Sequence, residues 1–185
     1  MIGWPIGGSR DYATFACMSL VVRPMRDDES RSFLEIQRAA VRGLAAKDYP
    51  ASVIDAWAPL PVTDTAVAFF RVNHDSEIRL VAELDGELVG IGALVLAESE
   101  LRACYVVPDA ARRGVGSALV AEIERLARHH RLTHLELLSS LTAEPFYRAL
   151  DYEVEERVEH VLGSGGRMPA VKMRKTLRRG AALGG

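Results

Sequence analysis

The chain is 185 residues long, 49% hydrophobic and 26% charged, with 23 basic and 25 acidic side chains. At ~150 residues per domain, this length fits one domain with residues to spare and is enough to bury a substantial core. Collagen-like, disulfide-scaffold and wholly disordered classes are excluded, and a net charge of −2 argues against a general polyanion binder.

Two cysteines, Cys17 and Cys104, are far apart and lack CxxC spacing, which fits a reducing compartment. The first twenty residues lack a basic leader and a long apolar run, and no stretch approaches the ~18 apolar residues of a membrane span. A cytoplasmic protein with no membrane or nucleic-acid partner is the expectation.

Residues 1–19 are rich in Gly, Ser and Pro, show no period, and read as a flexible N-terminal extension; Met18 is an alternative natural start. Residues 20–26 read as a strand that Pro24 places at an edge or bulge. Asp27, Asp28 and Ser30 then supply capping chemistry for a helix to about Ala45, with Phe33, Ile36, Ala40 and Leu44 near one stripe. Short helices are predicted over Ala51–Ala58 and 64–72. Strands follow at Ile78–Leu84, Leu88–Leu96 and Leu101–Val107, the first two joined by the hairpin signal Asp85-Gly86. From Gly116 to His130 the period is helical, with Leu119, Ile123 and Leu126 on one face and Glu124, Arg128 and Arg131 elsewhere. A strand at Leu135–Leu138, a helix at Thr142–Leu150, a strand at Tyr152–Leu162 and a last strand near Ala170–Thr176 complete a mixed α/β order with a partly antiparallel sheet. Residues 20–177 form the predicted domain, and 178–185 a flexible tail.

The most informative segment is Tyr105-Val106-Val107-Pro108, followed after five residues by Gly114-Val115-Gly116 at a helix start. The first N–H groups of a helix have no internal partner, and its dipole favours anions there. Glycines allow close backbone approach, and Arg112 and Arg113 add positive charge, so the segment describes a phosphate or pyrophosphate cradle. A Walker loop is excluded because Ser117-Ala118 follows Gly116, and a dinucleotide fingerprint because position 119 is Leu and the turn is too long.

The segment resembles the GNAT superfamily of acetyl-CoA-dependent N-acetyltransferases, in element order from about Leu20 to Leu177 and most sharply from Leu101 to Tyr152. The family's Gln/Arg-x-x-Gly-x-Gly/Ala pattern aligns on Ala111-Arg112-Arg113-Gly114-Val115-Gly116, with Ala in the first place. A second block, Ser140 to Tyr152, looks like the family's Asn/Ser-x-x-Ala-x-x-Phe-Tyr-x-x-x-Gly-Phe, with Ser140 for Asn and Asp151-Tyr152 for Gly-Phe.

The resemblance implies a GNAT fold, a mostly antiparallel twisted sheet flanked by helices. It also implies transfer of acetyl from acetyl-CoA, as co-substrate, to a primary amine on a small molecule or peptide, with no metal and with a homodimer among the expected assemblies. The pyrophosphate would sit on Arg112, Arg113, Gly114, Val115, Gly116 and Ser117, and the pantetheine arm along Tyr105, Val106 and Val107, with Ser140 nearby. Tyr147 is the candidate general acid, and Glu100, fourteen positions before Gly114, the candidate base.

Several neighbours have plainer readings. Cys104 reads as a small apolar strand residue before it reads as a nucleophile. His129-His130 point in diverging directions and make no metal site, and His160 is a hydrogen-bonded strand residue or faces the acceptor. Tyr49, Trp57 and Gly163–Arg167 are candidate acceptor walls, and Lys172, Arg174, Lys175, Arg178 and Arg179 a solvated strand and tail. A non-catalytic acyl-CoA-binding domain and a nucleotide- or phosphate-binding module remain open beside the enzyme.

Overall fold

The computed structural model describes residues 19–177. Among them the elements run β1 (Leu20–Pro24), α1 (Ser30–Leu44), α2 (Ala51–Trp57), α3 (Asp64–Val72), β2 (Ile78–Leu84), β3 (Glu87–Val95), β4 (Glu100–Val106), α4 (Val115–His129), β5 (His134–Ser140), α5 (Glu144–Arg148), β6 (Glu153–Val161) and β7 (Arg167–Thr176). These strands form one sheet in the order β1-β2-β3-β4-β5-β7-β6, antiparallel at every junction except β4–β5. Apart from Ser19, the expected extension, with Cys17 and Met18, lies outside the described residues, as does the tail from 178.

Local chemistry accounts for the joints. Asp85 and Gly86 both take left-handed φ, at 53° and 87°, as a tight two-residue hairpin requires. Pro24 ends β1, which is an edge strand where a missing N–H leaves no ladder bond unmade. The predicted helix at 142–150 is shorter, because residues 141–143 form a turn and only 144–148 are helical.

The two long helices cover opposite faces. On one, Phe33 and Ile36 of α1 pack on Val81, Ile91 and Ala93. On the other, Leu119, Val120 and Ile123 of α4 join Leu94, Leu101, Leu135, Val171 and Met173 in the main core. Burying each such side chain is worth about 1.5–3 kcal/mol. Glu124, expected away from the apolar stripe, is buried because Lys175 (2.7 Å) and Arg128 (2.8 Å) pair its carboxylate. Three arginines of α1 hold the α2–α3 connection: Arg31, Arg38 and Arg42 donate to the carbonyls of Val62 (2.8 Å), Pro59 (2.7 Å) and Ala58 (2.9 Å). Before α1, the buried Glu29 carboxylate accepts from Arg23 (2.9 and 2.5 Å) and from the Arg26 N–H (2.7 Å).

The junction between β4 and β5 positions the site. These parallel strands meet at one ladder pair, Glu100 with Glu136, and then diverge, so the rest of β4 has no partner on its β5 side among the described residues. A wedge therefore opens in mid-sheet towards Val106 and Ser140.

Candidate active site

The wedge leads to the glycine segment. After β4, Val107 N–H bonds the Val89 carbonyl, a short 3-10 turn spans Pro108–Ala110, and α4 begins at Val115. Gly114 is its N-cap, with φ 84° and ψ −6°, and two residues earlier Arg112 also has positive φ, at 60°. A side chain at Gly114 would be strained by this backbone, which is why glycine serves here. The first helical bond runs from Ala118 N–H to the Gly114 carbonyl, at 3.0 Å, and no side chain caps the N-terminus. The amides of Val115, Gly116 and Ser117 are thus available to an anion, at the positive end of a helix of 15 residues.

Gly116 has a different reason to be glycine. A Cβ there would lie 3.2 Å from Phe146 Cζ, so the ring of α5 lies against the first turn of α4. Phe146 is half-buried, whereas Tyr147 is buried at 6% exposure. Of the two adjacent rings, Tyr147 is the more deeply buried. Tyr147 packs edge-on against Phe146 and Tyr152, with centroids at 5.0 and 5.6 Å. Burial drives its phenol well above the ordinary value, assisted by Cys104, Tyr105 and Tyr152 nearby, so it holds its proton at neutral pH.

The turn after α5 explains the second block. The Tyr152 N–H bonds the Tyr147 carbonyl (3.0 Å), and the Asp151 N–H bonds the Arg148 carbonyl (3.1 Å), with Asp151 at φ 64°. This is a Schellman ending. It wants a left-handed residue, then an apolar one that packs back on the helix. Asp151 fills the glycine place, and Tyr152 the aromatic one.

Along the wedge, Tyr105, Val106 and Val107 are half-buried although their strand is central. Cys104 points to the α4 side, 3.8 Å from the Gly116 carbonyl, and burial pushes its thiol up to about 12. That disfavours a thiolate nucleophile and agrees with the apolar reading. Tyr105 points to the other face, where Trp57 lies edge-on between it (6.4 Å) and Tyr49 (5.8 Å). Ser140, at the end of β5, is half-buried, and its hydroxyl accepts from the Ala143 N–H at 3.2 Å, which engages it in the turn into α5.

Glu100 sits where the wedge closes. With Glu98, Glu136, Leu138 and Lys172 it lines a cavity of about 270 Å³ on the face opposite the main core, to which Tyr147 belongs. The structure thus puts the two catalytic candidates on opposite faces of the sheet. Burial raises the Glu100 carboxyl, Arg102 pulls it down, and Glu98 raises it further. Sequence reasoning missed Arg102. It is the extra residue of a bulge opposite Ala93 and Leu94, and its guanidinium reaches Glu100 (2.5 Å), Glu98 (2.9 Å) and Asp75 (2.7 Å). Bulges re-aim side chains in this way, and nothing local in the sequence announces one. No group of three His, Cys, Asp or Glu residues among the described residues could hold a metal, and no helix among them is long and apolar enough to cross a membrane.

A family model described as acetyltransferase (GNAT) family matches residues 38–152. No curated protein matches the sequence. Among solved structures, a GCN5-related N-acetyltransferase from Rhodopseudomonas palustris is 27% identical, with 86% of this chain and 98% of that one covered and a TM-score of 0.78. The PaiA N-acetyltransferase of Thermoplasma acidophilum, in complex with coenzyme A, is 20% identical over 86% and 99% of the two chains, at a TM-score of 0.67. A phosphinothricin acetyltransferase of Sinorhizobium meliloti, in complex with AcCoA, is 19% identical over 90% and 93%, at 0.62. The family model spans more than half of the residues, and the chain belongs to the acetyltransferase (GNAT) family.

Proposed function

We propose that residues 20–177 form an acetyl-CoA-dependent N-acetyltransferase domain acting on a primary amine. The observation that carries this reading is the wedge beside β4, which ends at an uncapped helix start. An anion at the amides of Val115 to Ser117 and an extended arm along the open edge of Tyr105 to Val107 match the two ends of a pantetheine pyrophosphate. Arg112 and Arg113 add charge at the first end. Bound there, acetyl-CoA supplies an activated acyl thioester.

The chain's own groups divide the remaining work by face. Glu100, on the cavity face, takes the proton of the incoming amine; its burial moves its basicity in the useful direction. Tyr147, on the core face, donates a hydrogen bond towards the departing sulfur. Its raised pKa makes it a donor that keeps most of its proton, since a thiol's own pKa is ~8.5. The amine adds to the thioester carbonyl, its proton passes to Glu100, and collapse of the tetrahedral intermediate expels the thiolate beside the Tyr147 hydroxyl.

Calorimetric titration with acetyl-CoA, CoA, ATP and NAD tests the binding half, and thiol release with a panel of amines tests the transfer half. Binding of the first two, with amine-dependent thiol release, is expected. Binding of nucleotides without CoA overturns the reading. Binding of acetyl-CoA with no release from any amine replaces it with a non-catalytic acyl-CoA-binding domain.

A further inference from the structure

We infer that Tyr49 is a positioning residue that holds the β5 lip of the wedge, an assignment that rests on the acetyl-CoA reading above. The β5–β7 ladder runs in register from His134 with Thr176 to Ser140 with Ala170. The next pair along this register is Leu141 with Pro169, and there the strands no longer bond directly. The Tyr49 hydroxyl stands between them: it accepts from the Leu141 N–H at 2.8 Å and donates to the Pro169 carbonyl at 2.8 Å. Pro169 has no N–H, so this position offers Leu141 a carbonyl alone.

The phenol therefore ends the ladder one step beyond Ser140 and fixes where the chain leaves the sheet. What it fixes is the segment 140–143, the side of the wedge that faces β4 and leads into α5 with Phe146 and Tyr147. A second tie from the same loop runs alongside, with the Thr142 hydroxyl donating to Asp48 at 2.6 Å. The ring is held in turn. Tyr49 is 5% exposed among Ala45, Ile54, Ala58, Leu162 and Met168, with Trp57 edge-on at 5.8 Å and Tyr105 of β4 beyond it. The same side chain thus grips the β5 lip through its oxygen and abuts, through Trp57, the ring on the β4 lip. Burial raises its pKa, which leaves the hydroxyl proton in place for Pro169. The spacing of the two lips, which sets the fit of a pantetheine arm, depends on this residue.

The test is Tyr49→Phe in the full chain, which keeps the ring and removes the oxygen. Wild type and variant are titrated with CoA and with adenosine 3′-phosphate 5′-diphosphate, which contains the pyrophosphate but no pantetheine. Amide exchange at Leu141 is followed in parallel. The expected result is about tenfold weaker CoA binding, the scale of one positioning hydrogen bond, with the nucleotide fragment's affinity unchanged and faster exchange at Leu141. Equal loss for both ligands shows a general structural role and overturns the assignment, as does unchanged CoA affinity or unchanged exchange. A wild type that binds neither ligand overturns the acetyl-CoA reading itself, and is seen before the variant is compared.

Discussion

Replacing Tyr152 by Phe should stabilise the protein. Tyr152 is 2% exposed, and its hydroxyl has no hydrogen-bond partner. Glu124 is the nearby carboxylate; Lys175 and Arg128 donate to one oxygen each, and the Tyr152 hydroxyl makes no hydrogen bond of normal geometry to it. Burial raises the Tyr152 phenol, and the Glu124 carboxylate beside it raises it further. A buried hydroxyl left unpaired costs about 1–3 kcal/mol. Phe keeps the edge-on contact with Tyr147 and the place under Lys175 Nζ, 5.5 Å from the ring, and loses one oxygen's packing. The net gain is about 1–2 kcal/mol, or roughly 2–8 °C in Tm for a chain of this size. Urea denaturation at pH 7 should show a higher midpoint at unchanged slope. A variant less stable by about 1 kcal/mol or more would refute the reasoning, because it would mean that the hydroxyl has found a partner. Asp151→Gly, at φ 64°, should gain less, about 0.5 kcal/mol, since relief of the left-handed strain is offset by glycine's entropy when unfolded.

Further outcomes follow from other sites. Arg23 holds the Glu29 carboxyl down to about 2 from an ordinary 4.5, so its stabilising effect is complete above pH ~4.5 and disappears as pH falls through 2. Glu29→Gln should therefore cost up to about 3 kcal/mol in denaturation at pH 7 and much less near pH 2; an equal cost at both would disprove the linkage. Gly43→Ala should destabilise by about 1–3 kcal/mol despite alanine's better helix propensity, because its Cβ would lie 2.3 Å from Pro108 Cγ. Weaker CoA binding should accompany the loss, since Pro108 starts the turn that leads to Gly114; a more stable variant would show that the turn yields freely. Glu100→Gln should slow thiol release most at low pH and least where the amine deprotonates unaided, and an unchanged pH profile would remove Glu100 from the mechanism.

The sequence carries the parts of this fold that short-range chemistry dictates. Asp85-Gly86 announces its hairpin because two left-handed residues suit few side chains. Gly114 and Gly116 announce the turn into α4, though by different means: one by backbone angle, the other by the approach of Phe146. Long-range pairings stay hidden. Glu124 looks like a solvent residue until β7 brings Lys175 to it from 51 positions away. Tyr49 is legible as a candidate acceptor wall, yet its oxygen works between two strand ends 92 and 120 residues further on. The order of Phe146 and Tyr147 in the core depends on how α5 rolls against α4, which neither residue type encodes. The bulge at Arg102 hides for a similar reason, being a property of the β3–β4 register.

The single ladder pair between β4 and β5 also has a mechanical meaning. Backbone hydrogen bonds divide the sheet into two plates, β1-β2-β3-β4 and β5-β7-β6, hinged at Glu100 and Glu136. What rivets the plates together is α4, which follows the gap in the chain yet packs on β3 and β4 as well as β5. Flexing between the plates breaks no ladder bonds; it works against side-chain packing and polar ties that cross, among them Glu124 with Lys175 and Tyr49 with Leu141 and Pro169. Amide exchange should therefore report two separately protected plates, with α4 sharing the protection of the first.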